Sequence, residues 1–269
     1  MRKFKYVFVV LVYKNIKVLE DFFNSFDFSD SKVVIVNSFY SIESENECEN
    51  LANKFYADFI SIPNKGYGYG NNVGVKFAMD NYDFDFLIIS NSDIKIEDMS
   101  FINTIDSQKS AIYAPKIKML TGKHQNPNIP YLIPLYYFLL NKWVITGKRL
   151  FLKGAYVCSR LSRELFLAYV KITNKRYYRI FNPHGSFIIF SKSAVLNLHP
   201  IFNDNMFLYN EESYLAMKCR LKQIPVFYVP KINILHYEGA SSSNVESTAF
   251  KQSADFLLRW IENNFNHKF

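Results

Sequence analysis

Apolar and polar positions along the first hundred residues follow two alternating rhythms. Runs that are apolar almost throughout, at Tyr6–Tyr13, Lys32–Asn37, Ala57–Ile62 and Phe84–Asn91, read as strands covered on both faces. Between them, apolar residues at helical spacing predict helices over Ile16–Phe26, Glu43–Phe55 and Asn71–Asn81. Such alternation implies right-handed βαβ crossovers and a mostly parallel sheet. Asn71 or Asn72 is the expected N-cap of the third helix. The preceding Gly66, Gly68 and Gly70, with Gly74, read as a loop whose amides approach a phosphate or sugar closely.

From Ala111 the rhythm loosens. Ile129–Leu140 is apolar but holds Pro130 and Pro134 and is too short to cross a bilayer. Gly185–Phe190 reads as a returning strand, Asp204–Leu221 contains a helix, and Val226–His236 holds one or two short strands. Ser247–Asn264 is a final helix with Phe250, Ala254, Leu257, Leu258 and Ile261 on one stripe. The N-terminal run Tyr6–Tyr13 reads as a buried strand and not as a leader or a span. With no repeat and no long linker, residues 1–269 form one domain. Its halves, 1–105 and 183–246, flank an insertion at 106–182, and 247–269 is a C-terminal helix.

At 269 residues and 49% hydrophobic, the chain has material for a large core. Its aromatic share, 17% with 26 Phe and 19 Tyr, favours an aromatic-lined cleft or interface, although AT-rich coding bias produces the same excess. Cys48, Cys158 and Cys219 are too scattered for a disulfide framework or zinc site and suit a reducing compartment. The net charge of +8 is local: Lys142 to Arg179 carries ten basic residues against Glu164, leaving 22 basic and 23 acidic residues elsewhere.

Asp93 follows the fourth strand in Asn91-Ser92-Asp93, where a carboxylate can hold a divalent cation against a diphosphate. His236 ends a late strand and is the candidate second ligand, for Mn²⁺ accepts an imidazole among oxygens; taken alone, a lone His there reads first as a hydrogen-bonded packing residue. Glu211 and Glu212 open a helix. They either complement its dipole or provide a general base whose pKa burial and mutual repulsion raise. Asn37 and Ser38 close the second strand, where polar side chains meet a base or ribose. The glycines fit neither the dinucleotide fingerprint, since Val73 holds the third glycine position, nor a P-loop.

In this order the pieces resemble the family 2 glycosyltransferases of the GT-A fold, especially the rhamnosyltransferase-like branch of bacterial surface-polysaccharide synthesis. The likeness runs over Val10 to Asn15, Val36-Asn37-Ser38, Asn64-Lys65-Gly66 through Asn71 and Gly74, and Asn91-Ser92-Asp93. It continues with Gly185, Tyr209-Asn210-Glu211-Glu212 with Arg220, and His236 with Ser241. It implies an α/β GT-A nucleotide-binding sandwich with a helical, basic and aromatic insertion. Asp93 and His236 would then hold Mn²⁺ or Mg²⁺, and Tyr13, Asn15, Asn37, Ser38, Asn64, Lys65, Gly66, Asn71, Asn91 and Ser92 would bind the nucleotide sugar. Glu212, with Glu211, would be catalytic, and Gly185 and Tyr209 would meet the acceptor. The family commonly has aspartate where this chain has Asn37 and where it has Glu212.

The expected reaction is an inverting transfer from a UDP- or dTDP-type sugar to a saccharide acceptor, lipid-linked, in capsule or O-antigen synthesis. The expected place is the cytoplasm, peripheral on the inner face of the plasma membrane. The basic, aromatic segment reads either as a surface for anionic lipid or as a solvated helical insertion with aromatics turned inward. A nucleotidyltransferase is the rival enzyme, but Leu11-Val12-Tyr13-Lys14-Asn15-Ile16 lacks the Gly-rich basic loop it needs after strand one. A nucleic-acid binder would explain the basic segment and leave Asp93, the Glu pair and His236 without a purpose, so no nucleic-acid partner is expected.

Overall fold

The computed structural model describes residues 1–14, 16–237 and 247–265. The expectations placed on Asn15 and Ser241 lie outside the described residues. The first half runs β1 (Arg2–Val12), α1 (Lys17–Asn24), β2 (Ser31–Ser38), α2 (Ile42–Lys54), β3 (Asp58–Ile62), α3 (Tyr67–Asn81) and β4 (Tyr82–Asn91). The second half adds β5 (Ile94–Asp98), β6 (Ile112–Met119), α4 (Pro134–Thr146), α5 (Arg149–Thr173), β7 (Tyr178–Ile180) and β8 (Phe187–Ser191). It ends with α6 (Lys192–Leu198), α7 (Glu211–Leu221), β9 (Val226–His236) and α8 (Ser247–Phe265).

Among the described residues nine strands form one sheet in the order β3-β2-β1-β4-β8-β6-β9-β5, with β7 beside β9. Parallel pairing joins β3, β2, β1 and β4 and also β6 and β9, whereas β8, β5 and β7 run against their neighbours. The sheet is therefore mostly parallel. Successive residues of β1 enter opposite cores. Val7 and Val9 pack with Val75 and Ala78 of α3 and with Leu215 of α7. Tyr6, Phe8, Val10 and Val12 pack with Leu19 and Phe22 of α1 and Cys48 and Ala52 of α2. A third core joins Tyr137 and Trp143 of α4, Met217 of α7 and Ala254, Leu257, Leu258 and Ile261 of α8, the stripe expected from the sequence.

Three expectations need correction. Helix α3 starts at Tyr67 with Gly66 as N-cap, so Asn71 and Asn72 are interior and buried instead of capping. Tertiary bonds outweigh the capping preference: the Asn72 amide nitrogen donates to the Phe202 carbonyl at 2.9 Å and its oxygen accepts from the Phe202 amide at 3.1 Å. Secondly, Gly68, Gly70 and Gly74 lie in α3 and not in a phosphate-holding loop. A Cβ on Gly70 would lie 2.5 Å from Leu11 Cδ1 and one on Gly74 2.4 Å from Val9 Cγ1, so these glycines let the helix lie on the sheet. Thirdly, the insertion is narrower than 106–182, because β6 is sandwiched between β8 and β9 and β7 extends β9. The helical excursion is α4 and α5. No helix among the described residues is long and apolar enough to cross a membrane.

Candidate active site

The carboxyl ends of the parallel strands line up at one edge. Val12 is in register with Asn37 and Leu11 with Asn91, which brings Tyr13, Asn37, Ser38, Asn91, Ser92 and Asp93 to that edge. Asn37 and Ser38 are buried; the Asn37 amide donates to Ser61 Oγ at 3.2 Å, and its buried Oδ1 has no partner. Outside them, the rings of Tyr13 and Tyr40 meet edge to face at 5.9 Å, with Lys14 Nζ 4.4 Å from the Tyr40 centroid. Tyr40 is half exposed, an aromatic and cationic lip beside a buried amide.

Asn64 Oδ1 accepts from the Gly66 amide at 3.2 Å, and the Tyr67 amide donates to the Phe207 carbonyl at 3.0 Å. These two amides are thus occupied, which removes them from the expected contact with phosphate. Gly66 has φ +101°, and a Cβ there would lie 2.1 Å from the Phe207 oxygen, so only glycine fits. Lys65 reaches over the Tyr69 ring at 5.0 Å. Asn71 points its amide nitrogen back to the Tyr67 carbonyl at 3.0 Å and keeps a buried oxygen unpartnered.

Asp93 and His236, 143 positions apart, meet because β5 and β9 pair antiparallel with Ile94 opposite His236. The Tyr237 amide donates to the Asp93 carbonyl at 3.0 Å and closes this register. Asp93 Oδ1 lies 3.1 Å from His236 Nε2, and His236 Nδ1 lies 2.7 Å from Gln125 Oε1. An amide oxygen only accepts, so Nδ1 donates to Gln125, while Nε2 and Asp93 Oδ1 face each other as a hydrogen-bonded pair. With a cation in place of the proton between them, the same two atoms form a donor set for a divalent metal. Neighbouring ligands on an octahedral ion with bonds of about 2.1 Å lie about 3.0 Å apart, which matches this spacing. No group of three or more His, Cys, Asp or Glu gathers for a metal among the described residues.

The carboxylate pair sits at the start of α7. Tyr209 and Asn210 precede it with φ of 73° and 64°, two consecutive left-handed residues that turn the helix start into the cleft. The Asn210 amide donates to Ser253 Oγ on α8 at 2.9 Å, and the Tyr209 ring meets Phe250 at 5.6 Å. Glu212 is half-buried, and its Oε1 accepts from the Gly185 amide at 3.1 Å. Tyr67 in turn donates its hydroxyl to the Gly185 carbonyl at 2.7 Å. Burial raises the Glu212 pKa against the lowering effect of its own and the Gly185 amides. Glu211 points inward, with an unpartnered Oε1; burial first, and then the Glu212 charge, raise its pKa well above the usual value. The pair is therefore two different groups, one partly exposed and held by the Gly185 amide and one sealed.

Residues 184–186 bridge the two carboxylate centres. The Asn91 amide donates to the Ser186 carbonyl at 2.9 Å, and the His184 ring lies 6.0 Å from that of His236. Burial, and then the neighbouring His236 and Arg163, push the His184 pKa down to about 3, so the ring is neutral. Its Nδ1 accepts from the Ser186 amide at 3.2 Å, leaving the proton on Nε2. Asp93, His236, Gly185 and Glu212 are thus brought together, with Tyr209 on the adjoining turn. Gln125, His184, Tyr40 and Tyr67 are site residues that sequence reading missed. A His directly before Gly185 was the one available signal.

No family model matches the chain. The chain is 23% identical over 263 residues to the low-salt glycan biosynthesis hexosyltransferase Agl10 of Haloferax volcanii, covering 87% of this chain and 76% of that one. It superposes on GalNAc-T7, crystallised with UDP, GalNAc and Mn²⁺, with TM-score 0.64 and 10% identity over 95% of this chain. It also superposes on the mannosyltransferase PcManGT of Pyrobaculum calidifontis, in complex with GDP-Man and Mn²⁺, with TM-score 0.54 and 10% identity over 88%. The chain spans 48% and 58% of the lengths of these two structures. The arrangement of strands and helices described above is the GT-A fold of glycosyltransferases.

Proposed function

We propose that this chain is an inverting glycosyltransferase that moves a sugar from a nucleotide-diphosphate donor to a hydroxyl of a saccharide acceptor. One observation carries the reading: the short segment His184-Gly185-Ser186 links the two centres, its His184 ring 6.0 Å from that of His236, which meets Asp93, and its Gly185 amide on Glu212. The similarity to a glycan biosynthesis hexosyltransferase, and the UDP, GDP-Man and Mn²⁺ in the superposed structures, support a hexosyl or deoxyhexosyl donor and a divalent metal.

In this reading the nucleoside lies over the Tyr13 and Tyr40 lip, with Asn37 Oδ1 and Ser38 reading the base or ribose and Asn91 and Ser92 flanking the diphosphate. Asp93 and His236 would hold the divalent cation, with Gln125 fixing the imidazole through Nδ1 so that Nε2 is the nitrogen presented to it. A divalent cation bound there supplies Lewis-acid stabilisation of the charge on the departing diphosphate. Lys65 adds a positive charge at the same edge. Glu212 takes the proton from the acceptor hydroxyl as that oxygen attacks the anomeric carbon, so one displacement inverts the configuration. The Gly185 amide keeps Oε1 oriented, and Tyr67, holding the Gly185 carbonyl, keeps the amide in place. Glu211, whose pKa burial raises, braces the turn that presents its neighbour. Gly185 and Tyr209 border the acceptor side. The acceptor class we favour is a lipid-linked saccharide of a bacterial surface polysaccharide, handled at the inner face of the plasma membrane.

Thermal stabilisation by UDP-, GDP- and dTDP-sugars with and without Mn²⁺, followed by assay of nucleoside diphosphate release, tests the proposal. One donor should stabilise the protein only with the metal and be turned over. Stabilisation by none of them, or unchanged turnover in Asp93→Ala, overturns it.

A further inference from the structure

Helix α5 carries an apolar face that no part of the described chain covers. Leu150, Val157, Leu161, Leu165 and Ile172, at spacings of seven, four, four and seven residues, are between 55% and 82% exposed. On a helix of 3.6 residues per turn these positions form one stripe along nearly the full 25 residues. Soluble surfaces scatter exposed aliphatic residues singly; a continuous stripe marks a contact surface. Across the turn in the same hairpin, Leu135, Phe138 and Ile145 of α4 are exposed as well.

The charge beside the stripe names the occupant. Arg149, Lys153, Arg160 and Lys171, spaced four, seven and eleven residues apart, form an exposed row about a quarter-turn round the helix from the stripe. None of the four has an acidic partner among the described residues. Glu164 is the sole acid on α5. At the start of the helix, Arg149 and Lys153 also line an open groove of about 740 Å³ between α4, α5 and α8, with Trp143, Tyr156 and Lys251. An aliphatic stripe flanked by unpaired cations matches acyl chains flanked by anionic headgroups. A nucleic acid would use the cations but would find no aromatic faces in the stripe for its bases. A second copy of the chain would meet the same cations with its own.

We infer that α5 lies in the interface of an anionic lipid bilayer, with the Leu150 to Ile172 stripe among the acyl chains and the Arg149 to Lys171 row at the headgroups. The docking stands on the exposed face alone. Only its purpose, bringing a lipid-linked acceptor to Glu212, rests on the transferase reading.

The test is co-sedimentation of the full chain with phosphatidylcholine vesicles with or without about 30% phosphatidylglycerol. The chain should pellet with the anionic vesicles, remain in solution with phosphatidylcholine alone, and be released by high salt. Leu161→Glu/Leu165→Glu and Arg160→Glu/Lys171→Glu should each lower partitioning at least about tenfold, with melting temperature and Mn²⁺-dependent donor stabilisation unchanged. Unaltered partitioning of both variants overturns the inference, as does a wild-type chain that never pellets. So does a wild-type dimer that Leu161→Glu/Leu165→Glu splits in light scattering without any vesicle binding, or wild-type binding that a single-stranded oligonucleotide abolishes. Donor stabilisation measured beside each arm separates a failed docking face from a failed transferase reading.

Discussion

The hydrogen bond from Gly185 to Glu212 leaves no room for a side chain. The amide reaches Oε1 at 3.1 Å, and a Cβ on Gly185 would lie 2.6 Å from that same oxygen. The acid is thus placed by a residue chosen for what it lacks. Glu212→Gln should lower kcat at least about 100-fold while leaving the affinity for nucleoside diphosphate intact. Gly185→Ala should lower kcat as well, by displacing the carboxylate. Steady-state transfer assays decide the point: a Glu212→Gln enzyme with wild-type kcat is not missing its base.

The contact between Asp93 Oδ1 and His236 Nε2 makes a second case. Calorimetric titration of UDP or GDP into Asp93→Asn and His236→Ala should show at least about tenfold weaker Mn²⁺-dependent binding. Binding in the presence of chelator should be equal in all three proteins. A metal requirement that survives both substitutions would place the cation elsewhere.

Tyr40 and Tyr13 present ring surface at the mouth beside Asn37. Base stacking on an aromatic side chain contributes about 1–3 kcal/mol. Tyr40→Ala should therefore raise the donor KM about tenfold with kcat unaltered, and an unchanged KM would move the nucleobase away from this lip.

Glu211 offers a test through stability. Its folded pKa lies above the ordinary value of 4.5, so the native state holds this proton more tightly than the unfolded chain. That contribution is complete below the unfolded value and is lost as pH rises through the folded one. Glu211→Gln should accordingly melt higher than wild type at pH 8 and alike at pH 4. A constant offset across the range would show that burial of this carboxyl is not linked to folding.

The glycines of α3 separate packing from phosphate contact. Gly74→Ala sets a methyl group 2.4 Å from Val9 Cγ1 and 2.8 Å from Val36 Cγ2, an overpacking that costs about 1–3 kcal/mol. Melting should fall by several degrees while the remaining folded protein binds nucleotide normally. The reverse pattern, intact melting and lost nucleotide affinity, would restore the loop to the ligand.

The parallel half of the fold was readable because β1, β2 and β4 are apolar on both faces, a signal that polar loops cannot imitate. The Asp93 and His236 contact was foreshadowed because Asp93 lies two residues beyond β4 and His236 is the last residue of β9. Less of the second half could be read. β5 and β6 are short and carry lysines, so neither shows a strand's composition until β9 is known to lie between them. The start of α3 was misplaced because Asn71 and Asn72 have capping chemistry, and it is the Phe202 backbone and the Asp204 carboxylate, 130 and 132 residues away, that claim the Asn72 side chain. Gln125 and Tyr67 act through partners distant in sequence and leave no local trace.

The β5–β9 register has a consequence for how the protein matures. Neither half of the chain brings Asp93 and His236 together alone, because β9 must be zipped in between β6 and β5 before Asp93 acquires its imidazole neighbour. A nucleotide bridged across that seam rewards the closed form by mass action, and protection of β9 amides from exchange becomes a gauge of occupancy. Ligand and β9 then guard one another against fraying.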